Sequence, residues 1–194
     1  DIVFQIILAT CQAGKTGCMV SLIENIIKMN LNIDIDNIYI ITGLSSKAWE
    51  LQTRKRMPKD LIKNIIHRAQ LKNNVSRFTD LQNAIIIVDE CQIACNKYMT
   101  FDNLLQQAGI KDLEYLRKNN VNIVEFSATP NTTLCDLELW QKDNAYIKHI
   151  MRSGEGYKGF EDLFNEKRIH QAEDLYIDID KPAGLSLKDE KKHK

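Results

Sequence analysis

The chain has 194 residues, of which 44% are hydrophobic and 27% are charged, enough for a domain with a substantial core. Its 26 Lys and Arg residues balance 26 Asp and Glu residues, so net charge does not indicate a nucleic-acid partner, and any basic surface would be local. No apolar run approaches the roughly 20 residues that span a bilayer, so we expect no membrane partner. Five cysteines without a Cys-x-x-Cys pair argue against a disulfide framework or zinc ribbon and favour an intracellular, cytoplasmic location.

Short runs rich in Ile and Val predict buried strands, because each run is almost continuously apolar rather than alternating. Four of them cover residues 2–9, 37–43, 83–90 and 121–129, and a weaker run covers 145–151. Segments with helical apolar spacing lie between the runs, at residues 15–30, 58–71 and 100–119. Strands that alternate with helices predict an α/β fold of three layers with a central, mostly parallel sheet.

The first predicted strand leads into ATCQAGKTGC, residues 9–18. Its Ala-x-x-x-x-Gly-Lys-Thr spacing matches the phosphate-binding loop, with Ala9 in place of the usual leading Gly. Backbone N–H groups of such a loop bind phosphate, and Lys15 would contact the β- and γ-phosphates while the Thr16 hydroxyl binds Mg²⁺. The residues predicted to bind ATP here are Thr10, Cys11, Gln12, Ala13, Gly14, Lys15, Thr16 and Gly17. The alternative is an ordinary turn between a strand and a helix.

The third predicted strand ends in two adjacent carboxylates, Asp89 and Glu90. Holding both in a partly buried site is costly unless a positive group lies beside them, and Mg²⁺ is such a group. Asp89 is therefore predicted to bind the metal, and Glu90 to orient and deprotonate the attacking water. Together with Lys15 they are the predicted catalytic residues. A strand that ends in Asp-Glu is common, so this prediction depends on the upstream loop.

The fourth predicted strand ends in EFSATP, residues 125–130. We expect the hydroxyls of Ser127 and Thr129 to hydrogen-bond the acidic pair and to respond to the γ-phosphate. A turn whose hydroxyls bond to its own backbone is the alternative. All three polar motifs follow strands, and ligands of open α/β sheets bind at the carboxyl ends of the strands. The motifs are therefore predicted to form one site.

The order of AGKT (13–16), DECQ (89–92) and SAT (127–129) resembles the first RecA-like domain of superfamily-two helicases and translocases, the DExH/D-box group. Divergent members from large DNA viruses and phages are the most similar in character. The resemblance covers most of residues 2–150. It implies a P-loop NTPase fold, ATP and Mg²⁺ as cofactors, hydrolase activity, and DNA or RNA as partner.

The resemblance also implies further roles. Gln92, where many relatives have His or Asp, would bind near the nucleotide and couple the second motif to the third. TGLSS (42–46) occupies the place of the motif that contacts the nucleic-acid backbone, which gives this role to Thr42, Gly43 and Ser45. The arginine fingers of the family come from a second RecA-like domain, which we expect as a partner in the full-length protein. The chain alone should hydrolyse ATP slowly.

Two domain-level predictions and two alternatives complete this picture. Residues 1–151 are predicted to form the ATP-binding domain, and residues 152–194 a glycine-containing loop, a helix and a charged tail that could link to the second domain. One alternative function is a nucleoside kinase of the thymidine-kinase type, which also joins a phosphate loop to a strand ending in Asp-Glu. The other is a sensing or assembly module that binds ATP without translocating.

Two more signals favour ordinary structural roles over functional ones, and a third leaves both open. Cys18 lies close to Lys15, whose charge could lower the thiol pKa and create a redox switch, but packing is the simpler interpretation. His67 is interpreted as a helix-face or strand-end residue. The Arg-Lys-Arg run at 54–56 fits contact with a phosphate backbone or a solvated helix end equally well.

Overall fold

Six parallel strands form one sheet in the computed structural model of the chain, which describes residues 2–10, 13–29, 31–42, 47–90, 100–128 and 146–169. In chain order the strands are β1 (Phe4–Leu8), β2 (Ile38–Thr42), β3 (Ile65–His67), β4 (Ala84–Asp89), β5 (Val121–Ser127) and β6 (Tyr146–Ile150). Their spatial order is β3-β2-β4-β5-β1-β6, and each neighbouring pair is parallel. The predicted α/β class and parallel sheet are confirmed.

Helices pack on both faces of this sheet. They are α1 (Lys15–Lys28), α2 (Lys47–Arg56), α3 (Thr100–Gln107) and α4 (Leu113–Lys118), and a further helix, α5 (Phe160–Asn165), follows β6 in the chain. Successive residues of a strand point to opposite faces, and Ile40 of β2 packs in the cluster with α1 while Ile41 packs in the cluster with α3 and α4. Helices on both faces of a central sheet make the three predicted layers.

The predicted helix at 58–71 is wrong. The segment forms a 3-10 turn (Lys59–Asn64), the short strand β3 and the start of a second 3-10 segment (Arg68–Arg77). The side-chain amide of buried Asn64 donates to the carbonyls of Ile35 and Asp36 at 3.3 and 3.0 Å. This anchor places the following Ile pair beside β2, where sheet pairing outweighs the local helical spacing.

The predicted helix at 100–119 is two helices rather than one. α3 ends at Gln107, and Gly109 adopts a left-handed conformation with φ of +72°. The N–H of Ile110 then donates to the carbonyl of Leu105 at 3.0 Å. Glycine tolerates this conformation, which commonly ends helices. Asp112 caps the next helix, since its carboxylate accepts from the N–H groups of Glu114 and Tyr115.

The chain divides into two compact units, Asp1–Gly154 and Glu155–Lys194. The second unit contains α5, and the carboxylate of Asp162 in its first turn accepts from the N–H of Gly159 at 2.8 Å. That a segment from residue 152 onward links to another domain stays a prediction. Within the described ranges, no helix has both the length and the apolar character that a membrane span requires.

Candidate nucleotide-binding site

The three predicted motifs follow the carboxyl ends of neighbouring strands. β5 lies between β1 and β4, with Leu8 in register with Ser127 and Phe126 in register with Asp89. The N–H of Ala9 continues the pairing by donating to the carbonyl of Ser127 at 3.0 Å. Because neighbouring strands lie about 4.8 Å apart, the phosphate-loop strand and the strand of the acidic pair are separated by about 10 Å.

Backbone hydrogen bonds lie on either side of the phosphate loop, where it follows β1 and where it enters α1. The N–H of Ala13 donates to the carbonyl of Thr10 at 3.2 Å, and the N–H of Cys18 donates to the carbonyl of Gly14 at 3.1 Å, which is the first helical bond of α1. Gly14 has φ of +92°, a left-handed conformation that favours glycine. Cys11 and Gln12, also predicted to bind ATP, lie outside the described residues.

The first turn of α1 presents backbone N–H groups, as a phosphate site requires. Gly14 is the residue that precedes the helix, and among the side chains that the structure describes none caps these N–H groups. They are therefore available to an anion, whose binding is also favoured by the positive end of the helix dipole. Lys15, Thr16 and Gly17 belong to this turn.

Lys15 and Glu90 form an ion pair across the carboxyl edge of the sheet. Nζ of Lys15 lies 2.7 Å from Oε1 of Glu90, and the two side chains are only 11% and 13% exposed. Glu90 has φ of +54°, which is uncommon for a residue with a side chain. The structure thus brings two of the three predicted catalytic residues into direct contact.

Asp89, the third, is the last residue of β4 and only 4% exposed. Strand alternation places it on the sheet face of Ile87, which packs in the cluster with α1. Mg²⁺ in nucleotide sites is bound by one or two protein oxygens together with phosphates and waters, and Thr16 and Asp89 supply oxygens of that kind. Among the described residues no group of three or more His, Cys, Asp or Glu side chains could hold a metal by itself.

The third motif is only partly described. Ser127 ends β5 and is fully buried, and strand alternation places it on the sheet face of Ile123, opposite to the face of Asp89. Its hydrogen bond to the acidic pair stays a prediction. Thr129 of this motif and Gln92 of the second motif lie outside the described residues.

The predicted nucleic-acid motif begins beside the acidic pair. Thr42 is buried at the end of β2, in register with Asp89 on one side and with His67 on the other. Gly43 and Ser45 lie outside the described residues. Thr42 is therefore a neighbour of the candidate site in the sheet, and its contact with nucleic acid is untested.

Two residues near the site were not assigned to it from the sequence. Nη1 of Arg56 donates to Oγ1 of Thr16 at 3.5 Å, so the Arg-Lys-Arg run ends beside the phosphate loop. Neither interpretation of this run from the sequence included that contact. His67 ends the unpredicted strand β3 and is 7% exposed, and its Nδ1 accepts from the N–H of Ala69 at 3.2 Å. The position of His67 after two isoleucines gave the strand-end interpretation, which the structure confirms, but nothing in the sequence connected this strand end to the site.

Burial raises the pKa of the Cys18 thiol, because an apolar environment disfavours the thiolate. Cys18 packs against the apolar cluster that contains α1. This direction is opposite to the lowered pKa that a redox switch needs. The packing role expected for Cys18 is the one that the structure favours.

Comparison with known proteins identifies relatives of this chain. The family model described as Zonular occludens toxin (Zot) matches residues 6–138, which include all three motifs. The protein named "Uncharacterized protein L594" from Acanthamoeba polyphaga mimivirus is 31% identical over 191 residues, which is 87% of this chain and 45% of that protein. The chain thus spans less than half the length of this relative.

The family match agrees with the geometry at the carboxyl edge of the sheet. It supports nucleotide binding by a P-loop domain, with Mg²⁺ as the expected metal, and it does not extend to helicase activity. The matched range begins in β1 and passes the phosphate loop, the acidic pair and β5. On this evidence the chain belongs to the Zot family, a P-loop NTPase-like family related to viral ATPases.

Proposed function

We propose that this chain is the ATP-binding and ATP-hydrolysing domain of a nucleic-acid translocase or helicase. The observation that carries the proposal is the contact of Lys15 with Glu90 at 2.7 Å, because it unites the phosphate loop and the acidic pair at one edge of the sheet. In an ordinary turn between a strand and a helix, the lysine would not need to contact the end of β4, which lies two strands from β1 in the sheet. The Zot family match supports the same chemistry.

The residues divide the work of phosphoryl transfer to water. Lys15 and the N–H groups of the first turn of α1 would bind the β- and γ-phosphates. Glu90 would accept a proton from the attacking water while the water oxygen bonds to the γ-phosphorus. The bond between the γ-phosphorus and the bridging oxygen of the β-phosphate would then break, which leaves ADP and phosphate. Mg²⁺, when bound, neutralises the developing charge, and Thr16 and Asp89 would hold it.

A link to nucleic acid is supported by the position of Thr42. It lies in register with Asp89, so the strand that precedes the predicted nucleic-acid motif adjoins the strand of the acidic pair. A displacement of the acidic pair on hydrolysis would therefore also move the neighbouring end of β2, from which the predicted nucleic-acid motif begins. DNA or RNA as the partner, and a second RecA-like domain that supplies an arginine finger, are parts of this proposal.

The test measures ATP hydrolysis by the full-length protein with and without single- and double-stranded DNA and RNA. We expect nucleic acid to stimulate hydrolysis and Lys15→Ala to abolish it. Lys28→Ala is the matched control, because Lys28 ends the same helix and its side chain is 71% exposed.

Each other outcome points to a different function. A rate of ATP hydrolysis that is the same with and without nucleic acid would exclude the translocase or helicase and favour a sensing or assembly module. Transfer of phosphate from ATP to a deoxynucleoside would identify a nucleoside kinase. Nucleotide binding that survives unchanged in the Lys15→Ala variant would contradict the site itself.

A further inference from the structure

We infer that Glu90 competes with the phosphates of the nucleotide for Lys15, so that nucleotide binding itself separates the catalytic carboxylate from the lysine. This inference rests on the proposed binding of ATP at the phosphate loop. It assigns Glu90 two opposing effects, since the same carboxylate is needed for hydrolysis and competes with the nucleotide for Lys15.

The contact has the properties of a strong charge-assisted hydrogen bond. The 2.7 Å separation of Lys15 Nζ from Glu90 Oε1 is at the short end of the range for such bonds. Both side chains are almost nine-tenths buried, so water screens the pair much less than it screens surface ion pairs. In the part of the chain that the structure describes, Lys15 makes no other side-chain hydrogen bond or ion pair.

The two residues come from different parts of the sheet. Lys15 is the first residue of α1, and Glu90 follows the last residue of β4, which lies two strands from β1. The pair therefore spans the edge where the triphosphate would lie. A phosphate oxygen that bonds to Lys15 would bring negative charge beside the Glu90 carboxylate, and like charges at such short range repel each other.

The backbone conformation of Glu90 is one that the surrounding structure must maintain. Its φ of +54° is left-handed, which is unfavourable for a residue with a Cβ unless the surroundings maintain it. The bond to Lys15 is one interaction that keeps the side chain in this direction. Once the phosphates take over Lys15, this bond no longer directs the carboxylate toward the lysine, so the base becomes available to the attacking water when substrate is present.

The experiment compares equilibrium nucleotide affinities of the wild-type protein, Glu90→Gln, Lys15→Met and the double variant, without Mg²⁺. ADP and a non-hydrolysable ATP analogue are the ligands, so that slower hydrolysis cannot imitate tighter binding. Loss of one charged hydrogen bond predicts that E90Q binds both about ten- to a hundredfold more tightly than the wild type. In the Lys15→Met background the same substitution should change affinity little.

Two controls isolate the ion pair. AMP lacks the phosphates that Lys15 would contact, so its affinity should not change in E90Q. Glu24→Gln removes an exposed carboxylate from the same helix, where Glu24 pairs with Lys28 at 3.9 Å, and should leave all affinities unchanged. A thermal melt of E90Q without nucleotide should show a lower Tm, because Lys15 loses its partner.

The outcomes separate this inference from the proposed function. Wild-type affinity in E90Q, or an equal gain in the Lys15→Met background, would overturn the inference while ATP binding stands. A gain for AMP as large as that for ADP would overturn it as well, since it would indicate a general charge effect. Absence of nucleotide binding in every variant, E90Q included, would reject the proposed function and the inference together.

Discussion

Arg56 and Thr16 meet at the phosphate loop, where Nη1 of the arginine donates to Oγ1 of the threonine at 3.5 Å. α2 ends at Arg56, so the helix brings an exposed guanidinium to the first turn of α1. This turn contains the hydroxyl predicted to bind Mg²⁺. A guanidinium at this place adds positive potential to a site that must hold a triphosphate.

We expect Arg56→Ala to weaken ATP binding about fivefold, the effect of roughly 1 kcal/mol between exposed charges at short range. Arg56→Lys should keep most of the affinity, and Lys55→Ala, which removes the neighbouring exposed charge, should have a smaller effect. Titrations at low and high salt check this, because screening should erase the difference. An R56A variant with wild-type affinity at low salt would show that the contact is incidental.

Gly14→Ala should lower the free energy of unfolding by about 1–2 kcal/mol, since an L-residue is strained at a left-handed φ. The strain comes from φ of +92° and not from crowding, because a Cβ at this position would lie 3.7 Å from Cε of Met151, an ordinary contact. Denaturant unfolding measures the change.

Gly17→Ala is the matched control for that measurement. Gly17 lies inside α1 without a positive φ, and no heavy atom within 4 Å would meet its added Cβ. Alanine should therefore stabilise the helix by about 0.5–1 kcal/mol. Equal changes in the two variants would contradict the strained turn at Gly14.

Lys111→Met should destabilise the fold by about 1–2 kcal/mol, because it removes a partner from the buried carboxylate of Asp102. This ion pair ties α3 to the segment that follows Gly109. Asp102→Asn combined with Lys111→Met should cost less than the sum of the two single changes. Additive changes in urea unfolding would show that the two side chains do not stabilise each other.

Cys18 should react slowly with alkylating reagents near neutral pH, because burial raises its pKa and the thiolate is the nucleophile. Mass spectrometry that resolves each cysteine, over a pH series, checks the rate. The same shift contributes stability below the pKa of the unfolded thiol, and this contribution is lost as pH rises through the folded pKa. Fast alkylation at neutral pH would revive the redox-switch alternative.

Local patterns were sufficient for the strands and motifs that lie in the strongest apolar runs. β2 and β4 are buried at every position, so their continuous Ile and Val runs predicted them directly. β3 was missed because three residues are too few for a periodic signal, and its strand conformation depends on pairing with β2 and on the anchor at Asn64. The single helix predicted at 100–119 failed at Gly109, where backbone conformation overrides apolar spacing.

By itself the sequence determined the α/β class, the glycine that precedes α1 and the acidic strand end, because each depends on residues close together in the chain. Only the tertiary structure decided that β5 separates β1 from β4 and that Lys15 bonds to Glu90, 75 residues away. It also brought Arg56 to Thr16. Such contacts depend on which strands become neighbours, and that order is set by packing of the whole sheet between its helices rather than by any local pattern.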